Sequence, residues 1–167
     1  DHKHGHSALG STLRLTLLRS TYDPDPFPEV GFHTIRLSLL PHEGACPVAE
    51  AVRQAETFNV PLSAVGTDLH GGTLQPTGSY AEVLTDNVIL ASLKRAEDSE
   101  ALIVRLYEVE GTATEARVRL SGLVEGEAEA QEVDLLERPL QTSTARMEGE
   151  TLVVTVPAYG IATVRVG

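Results

Sequence analysis

Seven short segments rich in aliphatic and β-branched residues follow one another between residues 86 and 166, and they limit the fold more than any other feature. They cover residues 86–92, 101–109, 115–121, 131–137, 143–147, 151–156 and 160–166. Turn sequences such as EDSE, EGTAT, MEGE and AYG separate them. Short strands at this spacing are typical of an antiparallel β-sandwich, so we predict an all-β fold.

The segment ALIVRLYEV is the clearest strand. Alternation places Leu102, Val104, Leu106 and Glu108 on one face and Arg105 on the other, together with Ile103, Tyr107 and Val109. A guanidinium on a mainly apolar face needs a carboxylate or several carbonyls. We therefore predict an ion pair between Arg105 and an acidic residue, for which Glu97 and Asp98 are candidates.

The first half of the chain is less regular. Residues 12–18 and 32–40 read as strands joined by a Pro-rich loop, and we predict that they pair antiparallel. Residues 47–58 are the one helical stretch, which Asn59 and Pro61 end. A Gly-, Thr- and Pro-rich stretch follows. The sequence therefore predicts a domain over 1–66, a linker over 67–84 and a small sandwich over 85–167.

Charge and composition narrow the class of function. The net charge is −11 without a basic stripe, which argues against nucleic acid or an anionic membrane surface as a partner. No apolar run approaches the roughly 20 residues that cross a bilayer. The single cysteine, Cys46, excludes an intramolecular disulfide and favours a cytoplasmic location. Aromatic residues make up 4% and Trp is absent, so a rich aromatic sugar-binding platform is not available.

His2, His4 and His6 alternate near the start of the chain. Alternate strand positions share a face, and imidazole binds zinc well. No carboxylate or cysteine stands at a supporting spacing, so we expect no metal site here.

Several strings occur in an order that resembles one family. They are LRLTLLRS (13–20), DPDP (23–26), PHEG (41–44), AETFNVPL (55–62), VILASLKRAED (88–98), LIVRLYEVEG (102–111) and VDLLE (133–137). The chain resembles the C-terminal region of family 38 α-mannosidases of the bacterial type, and LKRAED followed by RLYE is the most diagnostic pair.

The resemblance implies a fold and an activity. Residues 1–66 would be the tail of a large mutarotase-like sandwich with one helix, and 85–167 the small terminal sandwich. The implied reaction is retaining hydrolysis of α-mannosides within mannose metabolism, using two carboxyl groups and a divalent metal, usually zinc. Those groups belong to an N-terminal catalytic domain of the same chain, and their motifs do not occur here. We therefore predict no cofactor, no catalytic residue and no activity for this chain alone.

The resemblance also implies that the histidine segment lines the rim of the mannoside pocket, through His4 and His6. The family usually has Lys-Tyr-Gly-Tyr where this chain has Lys3-His4-Gly5-His6. Two alternatives stay open, namely a stand-alone carbohydrate-binding sandwich and a structural module that forms homo-oligomers. A large exposed apolar patch would favour an accessory or structural role, and a polar cleft would favour carbohydrate binding.

Overall fold

A computed structural model describes residues 5–18, 23–24, 26–28, 30–124 and 127–167. The chain divides into two compact units, Asp1–Leu40 and Pro41–Gly167.

The first unit contains a β-hairpin of β1 (His6–Leu9) and β2 (Thr12–Leu15). Leu9 lies opposite Thr12, so a two-residue turn joins the strands. Gly10, the first turn residue, has a φ of +58°, which a tight hairpin turn requires and which glycine adopts without strain.

The predicted pairing of 12–18 with 32–40 is wrong within the described residues. Residues 32–40 form no strand, and β2 pairs with β1 instead. Alternation of apolar residues specifies which face of a strand is buried. Which other strand it pairs with depends on the length of the chain that connects the two. Closing a two-residue turn costs less chain entropy than closing the long Pro-rich loop.

The predicted helix is confirmed as α1 (Val48–Asn59) in the second unit. Its buried residue is Ala49, whereas Val48 is 41% exposed. The helix lies beside the sandwich strand that covers Val88–Arg95, and Arg53 donates a hydrogen bond to the carbonyl oxygen of Asp86.

The remaining strands form two four-stranded antiparallel sheets. The strands are β3 (Glu82–Val83), β4 (Val88–Arg95), β5 (Leu102–Glu108), β6 (Thr114–Arg119), β7 (Ala130–Val133), β8 (Arg146–Glu148), β9 (Thr151–Val156) and β10 (Ile161–Val166). The first sheet has the order β4-β5-β10-β7, and the second has the order β3-β6-β9-β8.

The core lies between the two sheets. Val104, Leu106 and Val164 from the first sheet pack with Val118 and Leu152 from the second, and all five are fully buried. The all-β sandwich with one helix is therefore confirmed for the part of the chain that the structure describes. No helix among those residues is long and apolar enough to span a membrane.

Two local predictions need correction. The strand expected over 131–137 ends at Val133, because Asp134 forms a turn in which its Oδ1 accepts the backbone N–H groups of Leu136 and Arg138 at 2.8 and 2.9 Å. The short strand β3 lies inside the span predicted as a linker and pairs with β6. The assignment of residues 1–66 to a larger sandwich stays a prediction.

Candidate functional site

A buried carboxylate ties two turns together at one end of the sandwich. Glu108, the last residue of β5, is 3% exposed. The backbone N–H groups of Glu110, Gly111 and Tyr159 donate to its carboxylate at 2.6, 2.7 and 2.9 Å. The side-chain amide of Asn87 donates a fourth hydrogen bond at 2.9 Å. Glu108 therefore joins the turn after β5 to the turn between β9 and β10.

These donors determine the charge of Glu108. Burial by itself would raise the pKa of the carboxyl group, but the hydrogen bonds from Tyr159, Glu110, Gly111 and Asn87 outweigh it and lower the pKa to about 2. A general acid works best when its pKa lies near the operating pH. Glu108 is therefore suited to hold the turns as a permanent anion, and unsuited to deliver a proton.

The same end of the sandwich presents an exposed tyrosine. Tyr159 is 76% exposed and has a φ of +50°, which is uncommon for a residue with a side chain. A Cβ atom at Gly111 would lie 2.6 Å from its ring, so the ring lies directly on the glycine backbone. Glu108 and Gly111 thus fix Tyr159 in its outward position.

An ion-pair network covers the outer face of the second sheet. Val153 points away from the core, since its neighbours Leu152 and Val154 point into it, yet it is fully buried. Its cross-strand partners are Arg117 and Arg146. Their terminal nitrogens lie 2.7 and 3.0 Å from the carboxylate of one glutamate on β8. The bridged arginine stems therefore shield Val153 from water.

The outer face of the first sheet holds Arg105, whose predicted carboxylate partner is wrong. Its Nε donates to the Oγ1 of Thr163 at 3.1 Å. Glu97 pairs instead with a lysine of β4, and Asp98 with Arg165. Sequence proximity suggested these acids, but the antiparallel register places Arg105 opposite Thr163 and brings Arg165 opposite Ile103, nearer the acidic turn.

A strained glutamate crosses this face from the turn after β7. Glu137 has a φ of +66°, and its side chain is only 9% exposed. Its carboxylate lies 2.6 Å from the Nζ of Lys94 on β4, at the opposite edge of the sheet, and accepts the backbone N–H of Glu97 at 2.9 Å. Lys94 lies opposite Ile103, which is fully buried although it faces away from the core. The ion pair between Glu137 and Lys94 therefore helps to cover this part of the outer face, including Ile103.

Next to this bridge lies a groove of about 270 Å³, which we call the β7–β10 groove. Its apolar lining includes Val133, which is buried, and Leu135, Leu140 and Ile161, which are 62%, 43% and 57% exposed. Thr163, the partner of Arg105, also lines it. Through Thr163, the exposed apolar surface of the groove is therefore adjacent to Arg105.

The predicted pocket-rim residues have different outcomes. His6 is an exposed residue of β1 opposite Leu15, while His2 and His4 lie outside the described residues. The described ranges contain no group of three or more histidine, cysteine, aspartate or glutamate side chains that could hold a metal ion. The rim role of His4 and His6 stays a prediction.

The segment before the sandwich exposes many large apolar side chains. Residues between 9 and 74 with more than half of their surface exposed include Leu9, Leu13, Phe27, Val30, Phe32, Leu37, Leu39, Val60, Leu62, Val65, Leu69 and Leu74. Such density is unusual for a soluble surface and marks regions that bind other protein surfaces.

Sequence reasoning missed the functions of Glu108 and Glu137. The sequence did contain a signal for the role of Glu108. It is a charged residue at the end of an otherwise apolar strand face, shortly before a glycine-containing turn. Glu137 carried no such signal, since its left-handed backbone follows from the turn that Asp134 organises.

Comparison with known proteins places this fold in a family. Residues 87–164, which contain β4 to β9 and most of β10, match the glycosyl hydrolases family 38 C-terminal beta sandwich domain. The chain is 36% identical over 144 residues to human alpha-mannosidase 2C1, covering 83% of this chain and 13% of the relative. It is 32% identical over 121 residues to alpha-mannosidase G of Dictyostelium discoideum, covering 68% of this chain and 11% of that relative.

Alpha-mannosidase of Saccharomyces cerevisiae is also 32% identical, over 122 residues that cover 65% of this chain and 11% of the relative. The chain thus spans only a small part of the length of these relatives. The two-sheet sandwich, the domain match and the α-mannosidase relatives agree, and the chain belongs to glycosyl hydrolase family 38, in the C-terminal region of its α-mannosidases.

Proposed function

We propose that this chain is the accessory C-terminal region of an α-mannosidase and that it supports catalysis without performing it. The match of its sandwich to the family 38 C-terminal domain, together with α-mannosidase relatives several times longer, carries the proposal. The catalytic domain of the same polypeptide hydrolyses α-mannosides with retention, using two carboxyl groups that flank one sugar.

The residues of this chain are suited to structure rather than to chemistry. Glu108, the most buried carboxylate among the described residues, holds two turns and is anionic at neutral pH. The resemblance to family 38 α-mannosidases implies that the metal of the enzyme, zinc or another divalent ion, belongs to the catalytic domain.

The exposed apolar residues between 9 and 74 support docking onto the rest of the enzyme. Apolar surface removed from water contributes about 25 cal/mol per Å², which offsets the entropic cost of association. We propose that residues 1–66 complete a large mutarotase-like sandwich, that 67–84 link it to the terminal sandwich, and that His4 and His6 reach the rim of the mannoside pocket. We also propose a cytoplasmic location, which the single exposed cysteine, Cys46, supports.

The direct test is an assay of the purified chain with aryl α-mannosides, with and without added zinc. We expect no hydrolysis above a mock-purified control, because the catalytic carboxyl groups lie elsewhere. Zinc-dependent hydrolysis that co-purifies with the chain would show that the chain carries its own active site. That result would overturn the proposal.

A further inference from the structure

We propose that Arg105 and the β7–β10 groove form the docking site for an apolar segment of the catalytic part of the enzyme, and that this segment carries a carboxylate that pairs with Arg105. The inference rests on the proposed function, because it takes the partner surface from the same α-mannosidase polypeptide.

Arg105 differs in its charge pairing from the other basic residues of the sandwich. Every other lysine and arginine on its strands has a carboxylate partner, namely Lys94, Arg95, Arg117, Arg119, Arg146 and Arg165. Among the described residues, Arg105 has none, although the chain carries a net charge of −11. An arginine left without a carboxylate in such an acidic protein is complementary to an acid from outside it.

The position of Arg105 suits the binding of a carboxylate. It lies in the middle of a central strand, is half-buried, and uses Nε to donate to Thr163. A half-buried guanidinium loses hydration, and pairing offsets that cost. The hydrogen bond to Thr163 orients the planar group, whose terminal nitrogens suit two parallel hydrogen bonds to one carboxylate.

The surface beside Arg105 is largely apolar. Thr163 is shared with the β7–β10 groove, whose walls expose Leu135, Leu140 and Ile161. A free anion gains nothing from these apolar walls, whereas a polypeptide segment buries its own apolar side chains against them. An apolar anchor next to one desolvated charge pair is the usual composition of an interface centre.

The test measures protection of the groove in the longer enzyme. Ile161→Cys, in a Cys46→Ser background, is labelled with a thiol reagent in the 167-residue chain and in the full-length enzyme, and each cysteine is followed by peptide mass spectrometry. We expect labelling on the order of tenfold slower in the enzyme. Thr155→Cys, exposed on the second sheet, is the matched control and should label equally in both forms.

Combining Arg105→Met with Ile161→Cys in the full-length enzyme should restore fast labelling of the introduced thiol, while Arg119→Met, which breaks an exposed pair on the other sheet, should not. Leu135→Glu places a negative charge on the groove wall, where it repels the carboxylate of the docking segment. This variant disrupts docking by a second route and leaves Arg105 unchanged. Equal labelling in chain and enzyme, or protection that survives both Arg105→Met and Leu135→Glu, overturns the docking site. The aryl α-mannosidase activity of the full-length enzyme tests the proposed function separately.

Discussion

Substitution of Val153 tests whether the stems of Arg117 and Arg146 shield the outer face of the second sheet from water. Val153 points outward from the core but is fully buried between Arg117 and Arg146. Val153→Ala removes two methyl-sized groups, each contributing about 0.8 kcal/mol, and leaves part of a cavity. We therefore expect the free energy of unfolding to fall by about 1.5–3 kcal/mol, which corresponds to a Tm lower by roughly 3–12 °C.

Urea and thermal unfolding followed by circular dichroism measure this change, with Thr155→Ala, an exposed neighbour on the same strand face, as the control. The control should change stability by no more than about 0.5 kcal/mol. Arg117→Met should cost less than Arg117→Ala, because methionine keeps an apolar stem over Val153. An effect of Val153→Ala as small as that of Thr155→Ala would refute the shielding by arginine stems.

Other substitutions test the two glutamates. The folded-state pKa of Glu108, about 2, is below its ordinary 4.5, so its stabilisation is present above pH 4.5 and is lost as the pH falls toward 2. Glu108→Gln should therefore lower the urea midpoint at pH 7, and its difference from the wild type should shrink across that window; a difference independent of pH would contradict the anionic anchor. Glu137→Gln should lower the urea midpoint, whereas Glu100→Gln, which removes an 83% exposed partner of Arg95, should leave it unchanged. Equal midpoints for these two variants would show that the bridge to Lys94 contributes no stability.

The sandwich was largely predictable because its strands carry local signals. Alternation in ALIVRLYEV placed Val104 and Leu106 together on one face, and the structure buries that face in the core. The helix predicted over 47–58 lies one residue later, at Val48–Asn59. Its approximate end was predictable because Asn59 and Pro61 are unfavourable inside a helix. These features follow from side-chain periodicity and chain-breaking residues, which act over a few positions.

Other features depend on contacts distant in sequence. The partner of Arg105 depends on register, which sets Thr163 beside it across 58 residues. The bridge from Glu137 to Lys94 joins opposite edges of a sheet, and no periodic pattern encodes it. The pairing of β2 likewise depended on chain connection, because β1 is joined to it by a two-residue turn. Sequence patterns indicated the strand faces, whereas tertiary contacts decided the partners.

In the proposed function, this chain supports an α-mannosidase without contributing its chemistry. The most direct measurement is the aryl α-mannosidase activity of the full-length enzyme, of the enzyme lacking this chain, and of that shortened enzyme co-expressed with the chain. We predict that the shortened enzyme loses activity or solubility and that co-expression restores it. A shortened enzyme that keeps full activity and thermal stability without the chain would contradict the accessory role.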